Sequence, residues 1–559
     1  MDYSIIGIDF GTSATVVNVK NYYDGMQENE CHTLSFNGHH LLPTVIFERN
    51  DGRVFYGYEA IAEQEAGSEG VFHQNFKMNL ISPDAKIREK AKSLIEKFFS
   101  YLYSEFERQK ALLHVSPTTK TYVSYPAKWT PDMVRFMEGC AIKAGFGNEN
   151  TVFGETEPTA AIYATFENRQ EELKANRIVV QEQPLNVMML DMGAGTSDIT
   201  IFKFKVDNNN KFFIGYDNQI ITYPSVDNTY LCGGREIDKL LTEYLMNFVH
   251  RAIRPEKNNS IQQIELSIEG GVKEWKETNV SPKLRDNESA VMPHSLLFYK
   301  RNLFFKDIPF DPFTRSTFEL ITIGHREQLY NLIIEAIEKA RYKINGLNGP
   351  EDIDLVILTG GHSLWYLIED YFKGEIITKN LPIINFKKII DNPLRLIHEE
   401  RPQETVANGL VYRDLNFDVA HTSSNNIWCQ IKIEGQKSPL FHLISDQEAL
   451  PVSKNSETFT IELKKNAGTT DSVCVECDIF VGKELNSALT NHYKNKFRIQ
   501  GDWEALIGDI FGGLFGAEEV YDISSKININ IKEDGTGEIR LKNQSNWNDD
   551  RRNDIVIKL

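Results

Sequence analysis

One segment of the chain occurs twice, and the repeat limits the possible folds more than any other feature. The first copy is Ile5-Ile-Gly-Ile-Asp9-Phe-Gly11-Thr12-Ser13-Ala14-Thr15-Val16-Val17. The second is Val187-Met-Met-Leu-Asp191-Met-Gly193-Ala194-Gly195-Thr196-Ser197-Asp198-Ile199-Thr200-Ile201. Each reads as an apolar strand, an Asp at its end, a glycine turn with Thr-Ser, then a second strand. A duplicated strand–turn–strand with an acid at the first strand's tip implies two loops gripping one phosphate chain and its metal, in a chain built of two related halves.

At 559 residues the chain is too long for one core, so two to four domains are expected. No run of about 18 apolar residues occurs, and Met1-Asp2-Tyr3 leads straight into a strand without a basic signal stretch. The expectation is a cytoplasmic protein that spans no membrane. A net charge of −18 argues against nonspecific nucleic-acid binding, which needs a basic surface. Six cysteines do not make a disulfide scaffold. Cys474 and Cys477 form a lone Cys-x-x-Cys within a strand-like run, and residues three apart on a strand face opposite ways, against a shared metal.

Three regimes follow one another. Residues 1 to about 185 open with strands and turn helical. Residues 89–113 carry Leu94, Phe98, Leu102 and Phe106 every four, and Asp132 to Ala144 has a stripe at Met133, Phe136, Met137, Cys140, Ala141 and Ala144. Residues 186 to about 413 repeat the plan. A hairpin precedes one helix with Ile237, Leu240, Leu241, Tyr244, Leu245 and Phe248, and a second with Leu329, Leu332, Ile333, Ala336, Ile337 and Ala340. Strands alternating with helices predict a mixed α/β sheet in each half. Residues 414–425 have the polarity of a linker. Residues 426–559 read as a β-rich domain, with strands at 427–434, 459–464, 473–480, 527–532 and 537–541. The glycine-rich apolar stretch 503–519 reads equally as a short helix or a long loop.

The candidate chemistry lies in five segments. In the two hairpin turns, Gly11, Thr12 and Ser13, and Gly193, Ala194, Gly195 and Thr196, offer main-chain N–H groups and hydroxyls to phosphate oxygens. Asp9, Asp191 and Asp198 are carboxylates of the kind Mg²⁺ accepts through retained waters. Neither turn is a Walker motif, since no Gly-Lys-Ser/Thr ending is present, and neither fits the dinucleotide fingerprint, since a strand follows each turn. Asp and Gly are ordinary turn residues, so one copy alone would say little.

Together these segments resemble the 70-kilodalton heat-shock chaperones, within the actin and sugar-kinase ATPase superfamily. Asp9-Phe-Gly-Thr-Ser is similar to that family's first phosphate loop and Asp191-Met-Gly-Ala-Gly-Thr-Ser-Asp198 to its second, with Ala194 where a third glycine is usual. Gly154-Glu-Thr-Glu157-Pro158-Thr159-Ala160-Ala161 resembles the connecting segment, which implies that Glu157 supports the metal's water shell or the attacking water. Tyr125-Pro126-Ala127 resembles its proline switch. Gly233 and Gly234, opening a helix, resemble the turn that meets the outer phosphate; Leu231-Cys232 before them reads as a one-residue insertion. Thr359-Gly360-Gly361-His362 resembles the adenosine loop, but lacks the usual Arg, leaving His362 as an alternative stacking partner for adenine. The other adenine wall is expected near Glu274-Trp275-Lys276. Lys77, in Phe72-His-Gln-Asn-Phe-Lys77, resembles the catalytic lysine; a solvated surface lysine is the plainer reading.

The resemblance implies an actin-like, two-lobed ATPase of duplicated ribonuclease-H-like halves over residues 1–413, followed by a β-sandwich-like domain. It implies ATP hydrolysis to ADP by water attack, with Mg²⁺ held through water by Asp9 and Asp191. Lys77, Glu157, Asp191, Thr196 and Asp198 would act in catalysis, and turnover would be slow. Ile527-Asn-Ile-Asn-Ile-Lys-Glu-Asp-Gly-Thr-Gly-Glu-Ile-Arg-Leu541 resembles the last hairpin of the family's β-sandwich, where peptide is held. The apolar linker, helical lid and terminal acidic motif are poorly matched or lacking. The chain thus resembles a lidless, divergent chaperone that binds unfolded polypeptide, with a co-chaperone or exchange factor as a further partner. Its alternative is a nucleotide-gated scaffold for one dedicated protein. A small-molecule kinase would leave the β-rich domain unexplained.

Overall fold

A computed structural model describes residues 2–23, 26–27, 31–126, 129–195, 197–215, 220–224, 232–252, 268, 271–286, 313–413, 417–419, 421–422, 426–433, 436–437, 440–445, 448–450, 452–466, 472–482, 485, 491–500, 518–531, 537–543 and 555–558. Thr196, Ala127, Leu231, the stretch 503–517 and the Glu533-Asp534-Gly535 turn lie outside the described residues. The fold is α/β with mixed sheets. The chain divides into two compact units. The first comprises Met1–Lys77, Glu96–Ala127 and Ala144–Val419; the second comprises Met78–Ile95, Lys128–Lys143 and Ala420–Leu559.

In the first half of the sequence, β1 (Tyr3–Phe10) and β2 (Ala14–Tyr23) form an antiparallel hairpin. The long helix α1 (Ala85–Gln109) buries Leu94, Phe98, Leu102 and Phe106, one residue per turn on one face. It ends at Gln109 rather than near 113, where the chain turns and His114 takes a left-handed φ of 52°. Strand β3 (Thr119–Tyr125) runs parallel to β1. Helix α2 (Pro131–Ala144) buries Val134, Met137, Cys140 and Ala141. Strand β4 (Val152–Thr156) runs parallel to β3, and α3 (Glu157–Ala175) follows at once. The Thr156 hydroxyl caps α3 by accepting from Thr159 N–H, and Pro158 sits in the first turn, where no N–H is needed.

The second half repeats this path. Strands β5 (Leu185–Met192) and β6 (Ser197–Val206) form an antiparallel hairpin, and β7 (Phe212–Ile214) and β8 (Ile220–Pro224) both pair with β6. Helices α4 (Gly234–Ala252) and α5 (Ile323–Ala340) precede β9 (Leu355–Thr359), which lies parallel to β5. Strand β10 (Leu396–His398) lies parallel to β9. The first sheet runs β4-β3-β1-β2 and the second β10-β9-β5-β6, with the same senses at every step. The repeat in sequence is therefore a repeat in topology.

Strand β5 is apolar on both faces because it separates two cores. Met188, Leu190 and Met192 face one core with Ile237, Leu241 and Trp275. Val187 and Met189 face the other with Ile5, Tyr163, Phe166 and Phe204. That second core belongs to both halves. Helix α6 (Thr405–Val411) closes it against α3, where a Cβ on Gly409 would come within 1.6 Å of the Ala160 carbonyl oxygen; only glycine permits the approach. Tyr22, on β2, donates its hydroxyl to the Val411 carbonyl oxygen at 2.6 Å.

The expected linker is partly sheet. Phe417–Val419 forms β11, parallel to β7, with Phe417 against Phe212 at 5.2 Å between ring centroids and Lys211 paired to Asp418 at 2.8 Å. An aromatic contact and an ion pair fix a segment whose polarity alone reads as loose. In the second unit, Asn426–Ile433 pairs with Ser472–Gly482, which pairs in turn with Asn491–Gln500; a further sheet joins Val452–Asn466, Glu518–Ile531, Gly537–Asn543 and Ile555–Lys558. Cys477 lies in the expected strand, and its sulfur is 3.8 Å from that of Cys429. The Cys474 side chain lies outside the described residues.

Candidate functional site

The tips of β1 and β5 carry Asp9 and Asp191, one residue before each strand ends. Both carboxyls are half-buried. Burial is the main cause of a raised pKa in each. Asp9 is pushed up from 3.8 to about 6, with Glu157 adding to the rise and Lys77 and a hydrogen bond from Ser124 opposing it. Asp191 is pushed well above the usual carboxylate range by burial, then by Glu157, Asp198 and Asp9, against Lys77. Residues from two sheets and two halves thus act on one another electrostatically.

Lys77 is buried, contrary to the solvated-lysine reading. Its ammonium donates to the Phe10 carbonyl oxygen and to Glu157 Oε1, each at 2.6 Å. Glu157 is held at this spot because α3 begins there. Asp198 is buried on β6, directly opposite Asp191 in the antiparallel register. Like charges facing each other across a hairpin are unfavourable, so this pair is a local exception to the sheet's packing logic. In the first hairpin Asp9 faces Val16 instead.

A second group of predicted residues gathers on the other side of Asp191. Gly234 N–H donates to the Gly193 carbonyl oxygen at 3.1 Å and Arg235 N–H to that of Ala194 at 2.9 Å. A Cβ on Gly233 would lie 2.5 Å from the Ala194 carbonyl oxygen, so the glycine permits this seat of α4 on the second loop. Gly360 has φ +79°, and a Cβ there would lie 2.4 Å from the Met192 carbonyl oxygen and 2.6 Å from Asp191 Oδ1. Lys276 turns inward, with its ammonium 2.6 Å from Asp238 Oδ1 and 3.0 Å from the Gly234 carbonyl oxygen, while Glu274 is exposed. The second loop, the Gly-Gly turn, the Lys276 helix and the Gly360-Gly361 turn are thereby assembled around one place.

His362 is buried, and burial lowers its pKa well below the ordinary range. Its ring stacks on Trp365 at 5.3 Å and meets His325 edge-on at 5.2 Å. The His362 ring is therefore packed on Trp365, three residues along the chain. Trp275 is buried against Phe313. In the first loop, a Cβ on Gly11 would lie 2.2 Å from the Ala14 carbonyl oxygen. Arg235 Nη2 lies 3.5 Å from both the Thr12 carbonyl oxygen and Ser13 Oγ.

Sequence reasoning missed Ser124, Gln403, Pro402 and Arg235. Ser124 donates to Asp9 Oδ1 at 2.7 Å, a contact set by the parallel pairing of β3 with β1. Gln403 packs against Gly361, and the Pro402 carbonyl oxygen accepts from Gly360 N–H at 3.1 Å. Arg235 stands inside a segment read for its glycines alone. Among the described residues, no group of three or more His, Cys, Asp or Glu side chains is placed to hold a metal directly, and no helix is long and apolar enough to cross a membrane. Asp9 and Asp191, raised in pKa, with Glu157 on Lys77 and Asp198 opposite Asp191, form a donor set suited to a divalent cation held through water. Compared with known proteins, the chain matches no family model and no curated protein.

Proposed function

We propose that the chain is an ATP-hydrolysing molecular chaperone of the 70-kilodalton heat-shock type. In this reading the two repeated halves are an actin-like ATPase, and the β-rich C-terminal region, a β-sandwich-like domain, binds unfolded polypeptide under nucleotide control. One observation carries the proposal: Asp9 and Asp191 stand at equivalent strand tips of two sheets with the same topology, and the Asp9 charge adds to the burial that raises the Asp191 pKa. A structural turn acid gains nothing from such a neighbour.

Asp9 and Asp191 would hold Mg²⁺ through its water shell, and Mg²⁺ when bound neutralises charge on the outer phosphates of ATP or ADP. The chain's own groups supply the rest. Main-chain N–H groups of Gly11–Ser13 and Gly193–Gly195 cradle phosphate oxygens. Gly360 and Gly361 bring the backbone close to adenosine, and Glu274 and Lys276 border the same space. Glu157 or Asp198 orients the attacking water and accepts its proton at a carboxylate oxygen. The Lys77 ammonium, fixed by Phe10 and Glu157, stabilises charge on the transferred phosphoryl group. Thr12 and Thr196 line the two sides of the phosphate chain.

The test is hydrolysis by the full chain with and without a panel of apolar unfolded peptides. Acceleration by many peptides supports the chaperone. Hydrolysis indifferent to peptides, with tight binding of one protein, supports the dedicated scaffold. No hydrolysis and no nucleotide binding contradicts both.

A further inference from the structure

We infer that Arg235 is a phosphate-contacting residue, which carries a positive charge from the second half onto the outermost phosphate beside the first loop. The inference rests on the nucleotide reading above and adds a residue that the reading does not use.

Arg235 touches both loops at once. Its main-chain N–H is bonded to Ala194 of the second loop, and Gly234 beside it is bonded to Gly193. Its side chain crosses to Thr12 and Ser13 of the first loop. The first turn of a 19-residue helix, seated on one loop by glycines, thus aims a guanidinium at the other. The two side-chain contacts, both at 3.5 Å, are long for N–H···O bonds, which fall near 2.7–3.2 Å. Among the described residues, most of the fork's donor capacity is unused, in a half-buried setting.

Among the described residues, no ion pair holds Arg235. Asp238, one turn further along α4, is paired to Lys276 at 2.6 Å. Burial lowers the Arg235 pKa, and Asp238 only partly offsets it. A guanidinium kept in this state suits an oxyanion with several acceptors, and its planar fork matches phosphate two bonds at a time. The site also needs the charge. Lys77 is bonded to Glu157 and acts on Asp9 and Asp191, while Asp198 faces Asp191. A polyphosphate entering among four carboxylates meets like charge, so a second cation from the protein favours its outer end. Lys77 comes from the first half and Arg235 from the second, so the terminal phosphate would be gripped from both.

The experiment compares the full-length wild type with Arg235→Gln and Arg235→Lys, each checked for an unchanged thermal melt. Binding of fluorescent ADP and ATP analogues in Mg²⁺ is measured, with single-turnover phosphate release. ADP affinity is expected within about threefold of wild type in both variants, while phosphate release falls on the order of 10²–10³-fold in Arg235→Gln. Arg235→Lys, which keeps the charge but loses the fork, falls in between. Phosphate release by Arg235→Gln within about threefold of wild type overturns the inference. Equal loss of ADP and ATP binding also overturns it, since Arg235 would then be a clasp between loops. A wild-type chain that binds neither nucleotide contradicts the parent reading and this one together, and shows before any variant is made.

Discussion

The two hairpins have one topology and two electrostatic settings. Asp9 faces apolar Val16 across its hairpin and receives a hydrogen bond from Ser124 on the neighbouring parallel strand. Asp191 faces Asp198, and its neighbour on the equivalent parallel strand is Thr359. The Thr359 hydroxyl is directed to the Pro402 carbonyl oxygen at 3.4 Å, not to Asp191. The ionisation follows: about 6 for Asp9, well above the ordinary range for Asp191. A duplicated scaffold fixes where two acids stand, and single substitutions around each decide how readily it ionises. Both hairpins disfavour the charge, chiefly through burial, the second more than the first, and a divalent cation would relieve each.

The comparison can be broken most severely at the acids themselves. Asp191→Asn and Asp9→Asn are each expected to lower ATP hydrolysis by ~10³-fold or more, measured in single turnover, with the fold intact by circular dichroism. Next in size is Gly360→Ala. It forces a side chain into a left-handed position against the Met192 carbonyl oxygen, and a loss of about 3 kcal/mol in urea unfolding is expected. Wild-type stability there would mean that the second loop is not held by this turn.

Asp198→Asn removes the like charge opposite Asp191. In metal-free buffer at neutral pH it should stabilise the protein by about 1 kcal/mol while slowing hydrolysis, and added Mg²⁺ should narrow the stability gap. The smallest change sharpens the first hairpin. Asp9 has a folded pKa above its unfolded value of 3.8, so the folded state holds the extra proton and apoprotein stability falls as pH rises from about 4 to about 6. Ser124→Ala removes a bond to the ionised carboxyl, so that decline should extend roughly one pH unit higher, with a further loss of about 1 kcal/mol at neutral pH. An unshifted pH–stability profile would remove Ser124 from the account.

Much of this was legible in the sequence because it is local. The apolar strands ending near Asp9 and Asp191, the helical stripe at 329–340, the Met137, Cys140 and Ala141 part of the stripe at 133–144 (where Val134 rather than Met133 is buried), and Pro158 in the first turn of α3 are all set by local pattern and turn chemistry. What escaped depends on strand order or long side chains. Ser124 meets Asp9 only once β3 is known to lie parallel to β1. Arg235, in the first turn of a helix, looks like a surface charge until the Gly233-Gly234 turn seats it between the loops. His362 looked available for stacking, but its ring lies against Trp365, because a 3₁₀ turn over Gly361–Leu364 brings the two together. The strand at Phe417–Val419 was hidden for a related reason: its polar neighbours spell a linker, while its partner strand lies about 200 residues earlier.

The central claim is that both hairpins hold one metal–nucleotide. Electron paramagnetic resonance of Mn²⁺, substituting for Mg²⁺, in the presence of ADP tests it most directly on wild type, Asp9→Asn and Asp191→Asn. The account predicts one nucleotide-dependent Mn²⁺ per wild-type chain, lost in either variant. Retention of that ion in one variant, or its absence from the wild type, would contradict it.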